Sequence, residues 1–162
     1  MITRQLKLKA VIFDYAGTIY NPFTQQLYPQ TISVLEALTQ KGIKLALVSR
    51  SPNLEERLAE FKQLNLRKYF QILEAVSVEN KKEFNHLLKK LNVKPEECLV
   101  VGDRVKSEIL EGNRIGAKTV WVLQGEFLDE SPESEMEKPD YTINSLDELL
   151  LITQSLNLTQ KV

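Results

Sequence analysis

The chain has one cysteine and one histidine in 162 residues. A single thiol closes no internal disulfide. Cys98 lies in the apolar run Cys98-Leu99-Val100-Val101, so it reads as a buried packing residue rather than a nucleophile. The lone His86 falls in a Lys-rich helical pattern, which argues against Ser-His-Asp or Cys-His machinery. Any nucleophile must then be a carboxylate or a hydroxyl. Excess charge is missing too: Lys and Arg total 21 against 22 for Asp and Glu, which points to neither nucleic acid nor an anionic membrane as partner. No apolar run is long enough for a membrane span, and the first is broken by Asp14, so no signal peptide or span is expected and a cytoplasmic, reducing compartment is. Internal repeats and low-complexity segments are absent.

What is present is a regular alternation. Leu8 to Phe13 is almost uniformly apolar, as in a strand buried on both faces. A helix beginning near Pro29 carries Ile32, Leu35 and Leu38 and stops at Gly42. Leu45-Ala46-Leu47-Val48 is a second strand ending in Ser49-Arg50-Ser51, which completes a βαβ unit. Asn53 caps a helix with Leu54, Leu58 and Phe61 on one face, and Phe70 to Leu73 offers a short strand. Asn80-Lys81-Lys82-Glu83 has capping-box spacing, placing a helix start there ahead of Phe84, Leu87, Leu88 and Leu91. Leu99 to Val101 is a strand ending in Gly102-Asp103, followed by a helix from Val105 to Ile115 and a strand from Lys118 to Val122. Gln124 to Asp140 reads as a solvated surface loop, Tyr141 to Ile143 as an edge strand, and Leu146 to Ile152 as a last helix. The expectation is a single α/β domain over residues 1–152, a three-layer Rossmann-like sandwich with a mostly parallel sheet, and a fraying polar tail over 153–162.

In such sheets the ligand site lies beyond the carboxyl ends of the strands. Three strands here end at Asp14, Ser49 and Asp103. Two carboxylates at adjacent strand ends suit Mg²⁺, which keeps waters for an incoming phosphate. The Ser49 hydroxyl, a cation from Lys81 or Lys82, and backbone N–H groups around Tyr15 and Ala16 suit the phosphate oxygens.

Taken in order, these residues resemble the motifs of the haloacid dehalogenase superfamily of phosphohydrolases, over nearly the whole chain to about Leu150. Asp14-Tyr15-Ala16-Gly17-Thr18 matches the family's Asp-x-Asp-Gly-Thr except at one position, and Leu47-Val48-Ser49 matches the strand ending in Ser or Thr. Lys81 is the nearest candidate for the family lysine, with Lys82 the runner-up. Gly102-Asp103 followed by Glu108 matches the last motif, with Glu where Asp is usual. The resemblance implies Asp14 as nucleophile, an aspartyl-phosphate intermediate, and Ser49 and Lys81 stabilising the transferring group. It also implies Mg²⁺ held by Asp14, Asp103 and the Ala16 carbonyl, with Glu108 supporting the ion, and substrate contacts from Tyr15, Ala16, Ser49, Arg50 and Lys81.

Ala16 departs from the pattern. It stands where family phosphatases carry the acid that protonates the leaving group, a loss that costs about 10² to 10⁴ in rate. Weak or restricted phosphatase activity is therefore expected. The alternative is a non-catalytic module that binds phosphate, metal or a protein partner. The same variant motif is similar to that of phosphonoacetaldehyde hydrolase, a carbon–phosphorus hydrolase that depends on a lysine from an inserted cap domain. Intervals of about thirty residues from Thr18 to Ser49 and from Ser49 to Lys81 leave no room for a cap. A capless site is open, suiting a bulky phosphorylated substrate or closure by a neighbouring subunit or protein partner.

Overall fold

Residues 7–157 are described by the computed structural model of the chain. A six-stranded sheet, all of its pairings parallel, forms the centre: β1 (Ala10–Asp14), β4 (Lys44–Ser51), β5 (Ile72–Ser77), β6 (Cys98–Gly102), β7 (Lys118–Val122) and β8 (Tyr141–Ile143), in the order β5-β4-β1-β6-β7-β8. Two two-residue strands, β2 (Tyr20–Asn21) and β3 (Gln26–Leu27), form a separate hairpin after β1.

The period of two along β1 divides the core. Val11 and Phe13 join a cluster with Val34, Leu35 and Leu38 of α1 (Thr31–Gln40), Phe61 of α2 (Leu54–Gln63) and Leu149 of α5 (Leu149–Asn157). Ala10 and Ile12 face the other way, against Leu87, Leu88 and Leu91 of α3 (Asn85–Leu91) and the neighbouring Phe84. β1 is thus apolar on both faces because helices cover both, the three-layer α/β arrangement expected. The connection before β4 holds the hairpin and α1, and the one before β5 holds α2 and a single 3-10 turn, Leu66–Lys68, with no inserted domain among the described residues.

The short strand expected over 70–73 runs instead from Ile72 to Ser77, and three helix boundaries also differ from expectation. The last helix runs on to Asn157, burying Thr153 and packing Leu156 on the core, while the Asn157 side chain accepts a bond from the Leu8 N–H at 3.0 Å. The expected tail from 153 is therefore helical to 157, and 158–162 lie outside the described residues. Asn80 and Glu83 form no capping box, residues 81–84 carry no regular structure, and α3 begins at Asn85. The helix expected from Val105 opens as a wide π turn, Val105–Ile109, before α4 (Leu110–Arg114).

The chain lays β1, β4 and β5 toward one edge, then returns to lay β6, β7 and β8 toward the other. The reversal falls between β1 and β6, whose ends carry Asp14 and Asp103. That is the switch point where parallel α/β sheets bind ligands.

Candidate active site

Asp14 closes β1 and is 6% exposed, and Asp103 follows β6 at 2%. The π turn adds Glu108, at 1%. Wide turns of this kind recur at functional sites, and this one brings a carboxylate inward. Oxygens of the three acids lie within 4.8 Å of one another.

Lys82 reaches this cluster from the irregular segment before α3. Its ammonium donates to Asp14 Oδ1 and, at 2.7 Å, to Glu108 Oε1. Lys81, the expected residue, is exposed and lines the neighbouring cavity instead. The reason is energetic. A hydrogen bond to a charged group contributes about 1.5–3 kcal/mol, and Lys82 makes two, whereas a helix cap contributes about 1 kcal/mol. The buried carboxylates therefore hold the segment out of the helix and decide which lysine enters.

Around the acids the backbone comes very close. Gly17 has φ +81°, and a Cβ there would sit 2.2 Å from Asp103 Oδ2, so both conformation and space demand glycine. The Gln124 side chain donates to the Thr18 carbonyl at 2.8 Å, and a Cβ on Gly125 would meet Gly17 Cα at 2.8 Å. Thr18 donates to Asp14 Oδ2 at 3.3 Å, and Trp121 Nε1 to the Asp103 carbonyl at 3.1 Å.

Ser49 is buried on β4, and its hydroxyl accepts from Arg57 on α2. The Tyr15 side chain turns into the core rather than toward a ligand: it stacks on Tyr20 at 4.7 Å, lies under Arg57 and donates to Glu60. Burial, then that bond to Glu60, pushes the Tyr15 hydroxyl far up, so it remains a neutral donor. Its carbonyl accepts from the N–H groups of Thr18, Ile19 and Tyr20, winding the chain into the turn that leaves Ala16 exposed. Arg50 is half-buried and lines the cavity with Lys81. Arg57, Gln124 and Gly125 are contributions that sequence reasoning missed. The available signals were a helix start just after a strand end, for Arg57, and a glycine just past β7, for Gly125. Cys98 is buried, its thiol pushed up to about 12 by burial, as fits a packing residue.

Three carboxylates around one ammonium leave an electrostatic deficit. Asp103 Oδ2 and Glu108 Oε2 are buried without a hydrogen-bond partner. Burial, then the charges of Asp14 and Glu108, pushes Asp103 well above the carboxylate range; burial, then Asp14, raises Glu108. Burial lowers Lys82, but Asp14 and Glu108 outweigh it and the net shift is upward. Unpaired, buried carboxylate oxygens converging in this way fit a hard divalent cation.

Asp103 and Glu108 hold protons more tightly folded than unfolded. Metal-free stability is therefore full below the ordinary carboxylate range, about pH 4, and is lost as pH rises through the raised values. Mg²⁺ is expected to raise the melting temperature of chelator-treated protein, more at pH 8 than at pH 5, with about 2.7 kcal/mol of stabilisation at a hundred times its dissociation constant. A melting curve indifferent to Mg²⁺ at both pH values would remove the ion from this site.

Residues 22–116 match the family model described as haloacid dehalogenase-like hydrolase. The chain is 33% identical over 134 residues to a glyceraldehyde 3-phosphate phosphatase of Methanopyrus kandleri, covering 80% of this chain and 57% of that protein. It is 32% identical over 128 residues to a phosphoglycolate phosphatase of Aquifex aeolicus, covering 74% and 59%. The chain thus spans a little over half the length of these curated relatives. Among solved structures, a HAD phosphatase from Thermococcus onnurineus superposes with a TM-score of 0.74 at 21% identity, covering 90% of this chain and 97% of that one.

Proposed function

Because the chain belongs to the haloacid dehalogenase-like hydrolases, we propose that it is a Mg²⁺-dependent phosphohydrolase acting through Asp14 on small phosphorylated compounds. The observation that carries this reading is the buried set of Asp14, Lys82, Asp103 and Glu108 at the switch point, with two carboxylate oxygens left unpaired. The names of the relatives, both phosphatases of small metabolites, support it.

An Asp14 oxygen attacks phosphorus while the bond from phosphorus to the leaving oxygen breaks, giving an aspartyl-phosphate and the leaving-group anion; water then attacks phosphorus as the Asp14 O–P bond breaks, its protons departing with the released phosphate and the carboxylate restored. Asp14, Asp103 and Glu108, with the Ala16 carbonyl, would hold Mg²⁺, which when bound supplies positive charge between the carboxylate and the phosphoryl group. Lys82 aligns Asp14 and holds Glu108. The Ser49 hydroxyl, fixed by Arg57, offers a donor to a phosphoryl oxygen. Ala16 has no proton to give, so leaving groups that depart without protonation, acyl and aryl phosphates, are favoured over alkyl esters.

The test is Mg²⁺-dependent phosphate release from an acyl, an aryl and an alkyl phosphate. Wild type is expected to turn over the first two. Ala16→Asp, at an exposed position, is expected to raise the alkyl rate by about 10² or more. No release above a chelator blank from any of the three by wild type would favour the non-catalytic reading. A gain in Ala16→Asp would then show that only the proton donor was missing.

A further inference from the structure

A cavity of about 310 Å³ opens beside Lys82, and six of its nine lining residues are cationic: Arg50, Lys81, Lys82, Arg104, Lys106 and Arg114. Glu111 is its one acid. A chain with balanced total charge has concentrated positive charge at one place.

The six cations are not equally available. Lys82 is committed to Asp14 and Glu108. Arg104 donates twice to Glu130, at 2.9 and 2.8 Å, and lies over the Phe127 ring at 3.9 Å. Lys106 pairs with Glu133 at 3.1 Å, and Arg114 with Glu111 at 3.7 Å. Arg50 and Lys81 have no ion-pair partner among the described residues, although they flank the cavity from two different segments. Both also adjoin residues of the site in sequence, Ser49 and Lys82. Lys82 both lines this cavity and binds Asp14, which sets the two cations without ion-pair partners beside the phosphate site.

We propose that this cavity receives a second anionic group of the substrate, a phosphate or carboxylate held by Arg50 and Lys81, so that the preferred substrate is a small dianchored compound rather than the monophosphate of a neutral alcohol. The proposal rests on the reading of Asp14 as the phosphoryl site and adds the chemical class of what is attached to it. Arg50 offers a planar fork suited to two oxygens, and Lys81 a movable point charge. The volume lies at the lower end of small-ligand pockets, about 300–1,000 Å³, which selects a small metabolite over the bulky substrate expected of an open site.

The experiment is calorimetric binding to the Asp14→Asn protein with Mg²⁺, so that turnover plays no part. The probes are propanediol and hexanediol α,ω-bisphosphates, the ω-phosphocarboxylates of matching length, and the corresponding monophosphates. At low salt at least one dianchored probe is expected to bind about tenfold or more tighter than its monophosphate, the scale of a charge-assisted contact. In Arg50→Gln/Lys81→Gln that advantage is expected to shrink to about twofold or less, and salt is expected to erode it in the parent. The bisphosphate and phosphocarboxylate arms identify which anion the cavity takes. Equal affinity of all probes, or an advantage that survives the double variant, would overturn the cavity assignment. Monophosphate that fails to bind while a dianchored probe still binds in an Arg50- and Lys81-dependent way would instead count against the Asp14 reading alone.

Discussion

Asp14→Asn is expected to lose at least about 10⁴-fold of Mg²⁺-dependent phosphate release while melting no lower than wild type in the absence of metal. The activity loss follows from removing the attacking oxygen, and losses of this order accompany deletion of a covalent nucleophile. The stability expectation is less intuitive. Asp14 shares one ammonium with Glu108, and Asp103 adds a third acid within 4.8 Å. Asparagine keeps an acceptor for Lys82 and removes one repelling charge. A site built for reaction holds like charges together at a cost to stability, and neutralising one relieves it. Thermal melts in chelator and a phosphate-release assay check both halves. A variant that retains a tenth of wild-type turnover would remove Asp14 as the nucleophile.

Lys82→Met is expected to be the most disruptive single change, lowering stability by about 3–5 kcal/mol as the removal of one partner from a buried ion pair does. Activity should fall about 10²- to 10³-fold with loss of a charge aimed at the reacting group. With the ammonium gone, the acids can relieve their repulsion only by taking up protons, so the destabilisation should be larger at pH 8 than at pH 5. Lys81→Met, at an exposed position, is expected to change stability by less than about 0.5 kcal/mol. Denaturant titrations of the two variants at both pH values make the comparison. Equal effects would mean that the adjacent lysines are interchangeable.

The comparison of the two lysines also marks where the sequence stops being legible. Asp14, Ser49 and Asp103 were readable because each ends or interrupts a β-prone apolar run, and parallel packing carries such ends to one edge. The choice between Lys81 and Lys82 was not, because Asn80-x-x-Glu83 satisfies a local capping rule that two buried carboxylates override. The place of the Tyr15 side chain was not readable for a related reason: alternation along a strand does not continue through the turn that follows it. The stretch after β7 read as solvated because it is polar, yet Gln124 and Gly125 pack on the Thr18 carbonyl and Gly17, and Glu130 holds Arg104. Those roles depend on tertiary neighbours more than a hundred residues away in the first case, which no local pattern encodes.

The order of the strands has a consequence for how the acidic site is assembled. β1 lies between β4, from the first half of the chain, and β6, from the second. As the chain leaves the ribosome, β1, β4 and β5 can pair first, and that intermediate presents β1 as an open edge with Asp14 at its end. Such an edge is a template for wrong pairing until β6 arrives. The same docking event that seals it delivers Asp103 and Glu108, so the acidic cluster is completed and the exposed edge protected in one late step.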